Sequence, residues 1–321
     1  MLRTALIATV LATSAQAGHH SLPDCRETVE IYPGTTLARL ADTFFGDVDY
    51  RYSILLSTNA RVGQGFDYIG NPNALPVGKS LCIPEFSEAE VEKNRFLTYE
   101  NAVRDMALPY PSEVSTTLDP IDITRPVTVS SWVRADQAPG WIAKIGTTGE
   151  IGRQTWVTEA PNLQQFCAQY VADRGPDPVS LTLRLEQRLG LAPQSAKTHF
   201  VEFEIANPGA PTQIFRPCTA PDVTTTTCAF GALPACAPGD TACHRHSDFF
   251  LGQYYHSFGV ALPTEFPWTS LGYTFDWAHN PIGLSDRPSF IQYGESEYVV
   301  PATATVTVKS VTPTLDYCTA K

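Results

Sequence analysis

Three histidines, His244, His246 and His256, fall within 13 residues, and imidazoles at short spacing chelate zinc when further ligands join them. Asp248 is the one carboxylate at a ligand-like offset. The pattern therefore reads better as a polar loop beside a disulfide, and no metal or cofactor is expected. Cys243-His244-Arg245-His246 is the closest local approach to a thiol–imidazole pair. From Tyr254 to Trp277 eight aromatic rings mix with His256, Glu265 and Asp276. Such a mixture suits a carbohydrate platform, with rings stacked on sugar faces and acids binding hydroxyls. Asp276 with Glu295 or Glu297 would then supply a glycosidase acid and base, which makes His256, Asp276 and Glu297 the catalytic candidates. The same composition equally suits a β-rich core closed by aromatic side chains, and that plainer reading is the stronger. The chain has no G-x-S-x-G elbow, H-E-x-x-H, C-x-x-C or Gly-rich phosphate loop.

The whole chain limits what those residues can belong to. Its 321 residues suggest about two domains. With 22 basic and 33 acidic side chains the formal net charge is -11, which argues against a nucleic-acid partner. Hydrophobic residues make up 43% and aromatics 11%, too many for wholesale disorder. Beyond the N-terminus no apolar run approaches the roughly 18 residues of a membrane span. No sign of oligomeric state is visible.

Residues 1–17 read as a secretory signal peptide. Arg3 supplies the basic region, Ala5 to Ala12 the apolar stretch, and Ala15-Gln-Ala17 the small-x-small cleavage pattern. All eight cysteines (25, 82, 167, 218, 228, 236, 243 and 318) follow that cut. An even count on an exported chain implies four disulfides and disfavours a free catalytic thiol. A periplasmic or extracellular location is expected. Cys218 to Cys243 is Pro- and Gly-rich without a hydrophobic period, so local bridges Cys218–Cys228 and Cys236–Cys243 are expected there, leaving Cys167 to pair with Cys318 by elimination.

Elements that would position a site follow from periodicity. From residue 126 strands dominate: 127–133, 154–158, 198–205, 304–309 and a shorter 296–300. Helices interrupt them, one opened by Asn162-Leu-Gln-Gln165 and one carrying Leu181, Leu185 and Leu189. Residues 126–321 are thus expected to be a β-rich α+β domain with helices on one side. Before it, 87–125 reads as a linker: a helix capped at Ser87-Glu-Ala-Glu90, then a Pro-rich connection.

Residues 25–86 have a pattern of their own. Val29-Glu-Ile-Tyr32 alternates like a strand and Pro33-Gly34 turns. Thr35 or Thr36 can cap a helix with Leu37, Leu40, Ala41 and Phe44 on its apolar face, ending at Gly46-Asp47. A second helix spans about 49–57. Leu75-Pro-Val-Gly78 then turns into the strand Ser80-Leu-Cys-Ile83 before Pro84.

This strand, helix, helix, strand order resembles the LysM domain family. The resemblance rests on Tyr32-Pro-Gly-Thr-Thr-Leu37, Ala41, Gly46-Asp47, Ile54, Asn59 and Leu75-Pro-Val-Gly-Lys-Ser-Leu-Cys-Ile-Pro84, and covers under a fifth of the chain. Thr35 stands where many members have Asp, and 61–73 is longer than the usual second loop. In the implied architecture the two strands pair antiparallel, which brings Cys25 and Cys82 within bridging reach. The resemblance also implies binding of peptidoglycan or a related N-acetylglucosamine polymer. It places the groove at Gly34, Thr35, Thr36 and Leu37 and at Asn59 and Ala60, where Thr36 and Asn59 could instead only cap helices. An exported envelope protein anchored by this module is the expected function, with a cell-wall or polysaccharide hydrolase as the alternative.

Overall fold

In the computed structural model residues 22–233, 235–259, 265–280 and 290–320 are described, and the expected signal peptide, 1–17, lies outside them. The chain is mixed α+β with four disulfides. Strands Glu27–Glu30 (β1) and Ser80–Ile83 (β2) pair antiparallel, with Thr28 opposite Cys82. Between them lie helices Leu37–Phe45 (α1) and Arg51–Asn59 (α2), joined by a 3-10 turn at Val48–Tyr50. Ile31, Leu37, Ala41, Ile54, Leu55, Leu81 and Ile83 form one buried cluster. Cys25 and Cys82 are bridged with Cα atoms 5.4 Å apart. A core this small benefits from the bridge, since closing a loop of about 58 residues stabilises by about 4 kcal/mol on the chain-entropy account.

The helix expected at the start of the 87–125 linker is Phe86–Met106 (α3), a rigid element. Its first turns enter the small core through Ala89, and its last turns pack Tyr99, Ala102, Val103 and Met106 against Phe275 and Trp277. The helix starts one residue before the expected capping box, and its N-cap, Glu85, makes no side-chain cap hydrogen bond. Packing at both ends, and not local capping, holds it.

The remaining elements are Val127–Arg134 (β3), Ala138–Ile142 (α4), Thr148–Glu150 (β4), Thr155–Glu159 (β5), Ala160–Arg174 (α5), Pro178–Arg188 (α6), Lys197–Ile205 (β6), Thr241–Phe258 (α7), Tyr273–His279 (β7), Phe290–Ser296 (β8), Tyr298–Val300 (β9), Thr305–Pro313 (β10) and Thr314–Thr319 (α8). An antiparallel sheet runs in the order β4-β10-β6-β3-β5-β9, while β7 and β8 form a separate ribbon. Alternation along β3 and β6 sends Val129, Val133, Val201, Phe203 and Ile205 to one core. Trp132 and Phe200 go to a second core beneath α5, α6 and α8. Cys167–Cys318 ties α5 to α8 across that second core, and Cys218–Cys228 and Cys236–Cys243 close short loops, so all four expected pairings are present.

One segment differs from expectation. The stretch around His244–His256 is the helix α7 and not a loop, and the extra helix makes the C-terminal region evenly mixed instead of β-rich. The ribbon depends on Gly294, where a Cβ would lie 2.2 Å from Thr274 Oγ1 and 2.4 Å from the Arg188 carbonyl oxygen. Only a residue without a side chain lets β8 pass so close.

Candidate functional site

Two surfaces stand out, and one loop joins them. The first is a pair of turns at the end of the β1–β2 ribbon. Ile31 N–H donates to Lys79 O and Gly78 N–H donates to Ile31 O, both at 2.8 Å, which holds the Pro33-Gly34 turn beside Pro76-Val77-Gly78. Tyr32 is 60% exposed and Val77 61% exposed, one large side chain on each of the two turns, and the Tyr32 hydroxyl donates to Glu30 at 2.9 Å.

Here the expected glycan residues take sorted roles. Thr36 Oγ1 accepts the Arg39 N–H as the α1 N-cap, and Thr35 Oγ1 accepts the Tyr32 N–H at 3.0 Å. Leu37 is buried in the core. Gly34, at φ 85, has open space where a Cβ would stand. Asn59 is buried, its amide donating to Ile69 O at 3.1 Å and accepting from Ile69 N at 2.9 Å. Its side chain is therefore engaged in holding the 60–73 loop, not presented to a ligand, and Ala60 continues the chain from α2 into that loop. Buried Arg61 bolts the loop down further, donating to both Glu88 oxygens at 2.7 and 2.9 Å.

The second surface is a cleft of about 710 Å³ between the small domain and the C-terminal domain, a size typical of small-ligand sites. Tyr68 and Gly70 of the 60–73 loop form one wall. The opposite wall comes from the ends of β3, β5 and β6 and from Glu297. Asp67 pairs with Lys79 at 3.0 Å, and the next residue, Tyr68, sits under the Arg134 guanidinium at 4.7 Å. The turn pair and the cleft are thus one residue apart along the loop.

The cleft mixes charge with aromatic faces. Lys197 Nζ donates to Trp132 O at 2.7 Å; burial, then the nearby Arg134 and Arg153 cations, lower its pKa to about 8. Glu297 is half-buried and lines the cleft. The confined setting governs its titration, and burial raises its pKa to about 8, so it is a neutral carboxylic acid at pH 7. Among the described residues nothing donates to that carboxyl. Burial, then Glu100, also raises Glu265, at the same cleft. Behind the wall, Glu186 accepts both the N–H and the hydroxyl of Ser195, at 2.7 and 2.9 Å. This pins a loop in which Gln194 and Ala196 hold φ of 57 and 54, strained values for residues with a side chain. Burial pushes Glu186 up to about 7.

Asp276, expected as one of an acid–base pair, is committed to arginine in this structure. Asp276 is fully buried and held bidentately by Arg184, at 3.0 and 2.6 Å. Glu295 accepts from Arg188 Nε at 2.6 Å. Both carboxylates dock α6 onto the β7–β8 ribbon, and neither lines the cleft. His256 reaches the rim of the cleft, edge-on to Phe266 with ring centroids 5.5 Å apart. The expected aromatic platform divides likewise: Tyr273, Phe275 and Trp277 are core, whereas Phe266 lines the cleft and Tyr255 faces solvent. His244 and His246, two residues apart on a helix, point about 200° away from each other. His246 Nε2 instead lies 2.7 Å from Cys218 O. Among the described residues no group of three or more His, Cys, Asp or Glu could hold a metal.

Lys197, Arg134, Arg153 and Tyr68 were not expected at a site. Only Tyr68 left a signal, the unusual length of its loop. Among the described residues no helix is long and apolar enough to cross a membrane. No protein-family model, curated protein or solved structure matches the chain.

Proposed function

We propose that residues 25–86 form a LysM-like module that holds the protein on peptidoglycan or a related N-acetylglucosamine polymer, in the periplasm or outside the cell. The observation that carries this reading is the turn pair. Tyr32 and Val77 are exposed on the two turns, with the open backbone of Gly34 between helix α1 and Tyr32, on a domain closed by a disulfide. A sugar ring lays its apolar face on such side chains while its amide and hydroxyls meet backbone groups at the two turns. The β-α-α-β order and the four disulfides agree with it, the latter pointing to an oxidising compartment. The test is co-sedimentation of the whole protein with purified insoluble peptidoglycan and with chitin. Wild type is expected to pellet, and Tyr32→Ala with Val77→Ser to lose at least about tenfold in affinity, from two apolar contacts worth about 1 kcal/mol or more each. Equal binding by that variant would overturn the reading.

A second reading, hydrolysis of the bound glycan, is favoured by Glu297. A neutral acid in the cleft can give its proton to a glycosidic oxygen as the C–O bond breaks. Water then adds to the anomeric carbon and releases its proton to a base such as Glu265. Release of soluble muropeptides by wild type but not by Glu297→Gln is the expected sign.

A further inference from the structure

We infer that the cleft between the small domain and the C-terminal domain is a second ligand site, one that takes a sugar carrying a carboxylate. The inference rests on the glycan reading above for the class of sugar, and on the cleft alone for the charge it demands. Overall the chain carries 22 basic against 33 acidic residues, yet this wall gathers Arg134, Arg153 and Lys197. Of these, Arg134 meets Asp136 at 3.2 Å, while among the described residues Arg153 has no carboxylate within ion-pair distance. Lys197 spends one of its three N–H donors on Trp132 O. A carboxylate is the group that such an under-neutralised cluster accepts, through charge-assisted hydrogen bonds.

Glu297 lines the same wall with no donor to its carboxyl among the described residues, and burial raises its pKa, so it opposes an anion less than an exposed carboxylate would and its O–H can donate to a ligand oxygen. The aromatic faces of Trp156 and Phe266 line the same space and suit the apolar side of a pyranose ring. Trp268 adds a buried indole N–H with no partner, an unmet donor of the kind a bound ligand or water satisfies. The ion pair Asp67–Lys79 ties the second turn to the loop whose next residue, Tyr68, lines the cleft.

The test titrates the whole protein with N-acetylmuramic acid, N-acetylglucosamine and inorganic phosphate, following tryptophan fluorescence and calorimetry. The first two sugars differ by a lactyl ether whose carboxylate is the feature at issue. N-Acetylmuramic acid is expected to bind at least about tenfold more tightly than either other probe. Arg153→Gln and Lys197→Met are each expected to lower that affinity about tenfold or more while leaving co-sedimentation with chitin unchanged. Arg153 is exposed, so its variant keeps the test alive should Lys197→Met fold poorly. Equal affinity for the two sugars, or no effect of Arg153→Gln, overturns the inference. Phosphate binding as tightly as N-acetylmuramic acid would also overturn it, as a mere anion site. The Tyr32→Ala, Val77→Ser variant is expected to keep the monosaccharide signal, so that a failure of the turn-pair reading and a failure of this one give different results.

Discussion

Replacing Asp276 by Asn separates a structural carboxylate from a catalytic one. Asp276 is fully buried, accepts both Arg184 Nη atoms at 3.0 and 2.6 Å, takes the Ala278 N–H at 3.1 Å and lies 3.8 Å from Arg188. The amide is nearly the same size and keeps an acceptor, but it turns an NH2 group toward a guanidinium and removes the compensating charge. Breaking a buried pair in this way costs about 3–5 kcal/mol. The lower end applies because Arg184 and Arg188 keep 15% and 21% of their side-chain surface and can regain water, and because Arg188 retains Glu295. A loss of about 3 kcal/mol in a domain of this size lowers Tm by about 6–12 °C. Thermal unfolding followed by circular dichroism, with co-sedimentation on peptidoglycan in parallel, should show the lower Tm and unchanged binding of the folded protein. An unchanged Tm together with lost muropeptide release would refute the argument and return Asp276 to the catalytic role its sequence neighbourhood suggests.

Glu297→Gln tests the neutral acid in the cleft. The folded pKa, about 8, lies above the ordinary 4.5, so the stability this carboxyl contributes is complete below about pH 4.5 and is lost as pH rises through 8. The Tm of the variant should therefore gain on wild type between those limits and level off above; a gap independent of pH would count against the raised value. Replacing Cys25 and Cys82 by Ser should cost the small domain up to about 4 kcal/mol, read as faster amide exchange across β1 and β2, and unchanged exchange there would contradict the bridge's role. Asn59→Ala removes both hydrogen bonds to Ile69 and orphans two backbone groups, at about 1–3 kcal/mol each. Loss of amide protection at Ile69 is the expected readout, and retained protection would show the loop to be held by Arg61 alone.

What the sequence made legible follows from which interactions are local. Strands β5 and β10 set a face on a core, and β3 and β6 send alternate residues to two different cores, so a two-residue period is visible in each. Tyr273–Ala278 is buried at every position, so β7 carries no alternation and its rings resemble a surface platform as much as a core. Helix α7 buries only Gln253 and Ser257 within its span and leaves Leu251, Tyr254 and Tyr255 exposed, so no apolar stripe marks it. The disulfides were readable because two pairs are 10 and 7 residues apart and the others follow from what remains and from the ribbon pairing. Of the ionisable residues in the cleft the sequence marked only His256, Glu265 and Glu297; residues 68, 134, 153 and 197 come from four separate segments that only the fold brings to the same space.

The most direct test of the glycan-binding claim is amide hydrogen exchange of the whole protein with and without a soluble N-acetylglucosamine oligomer. Slower exchange at residues 32–36 and 77–79, with α3 unchanged, is the expected result. Exchange at those two turns that is indifferent to saturating oligomer would contradict it.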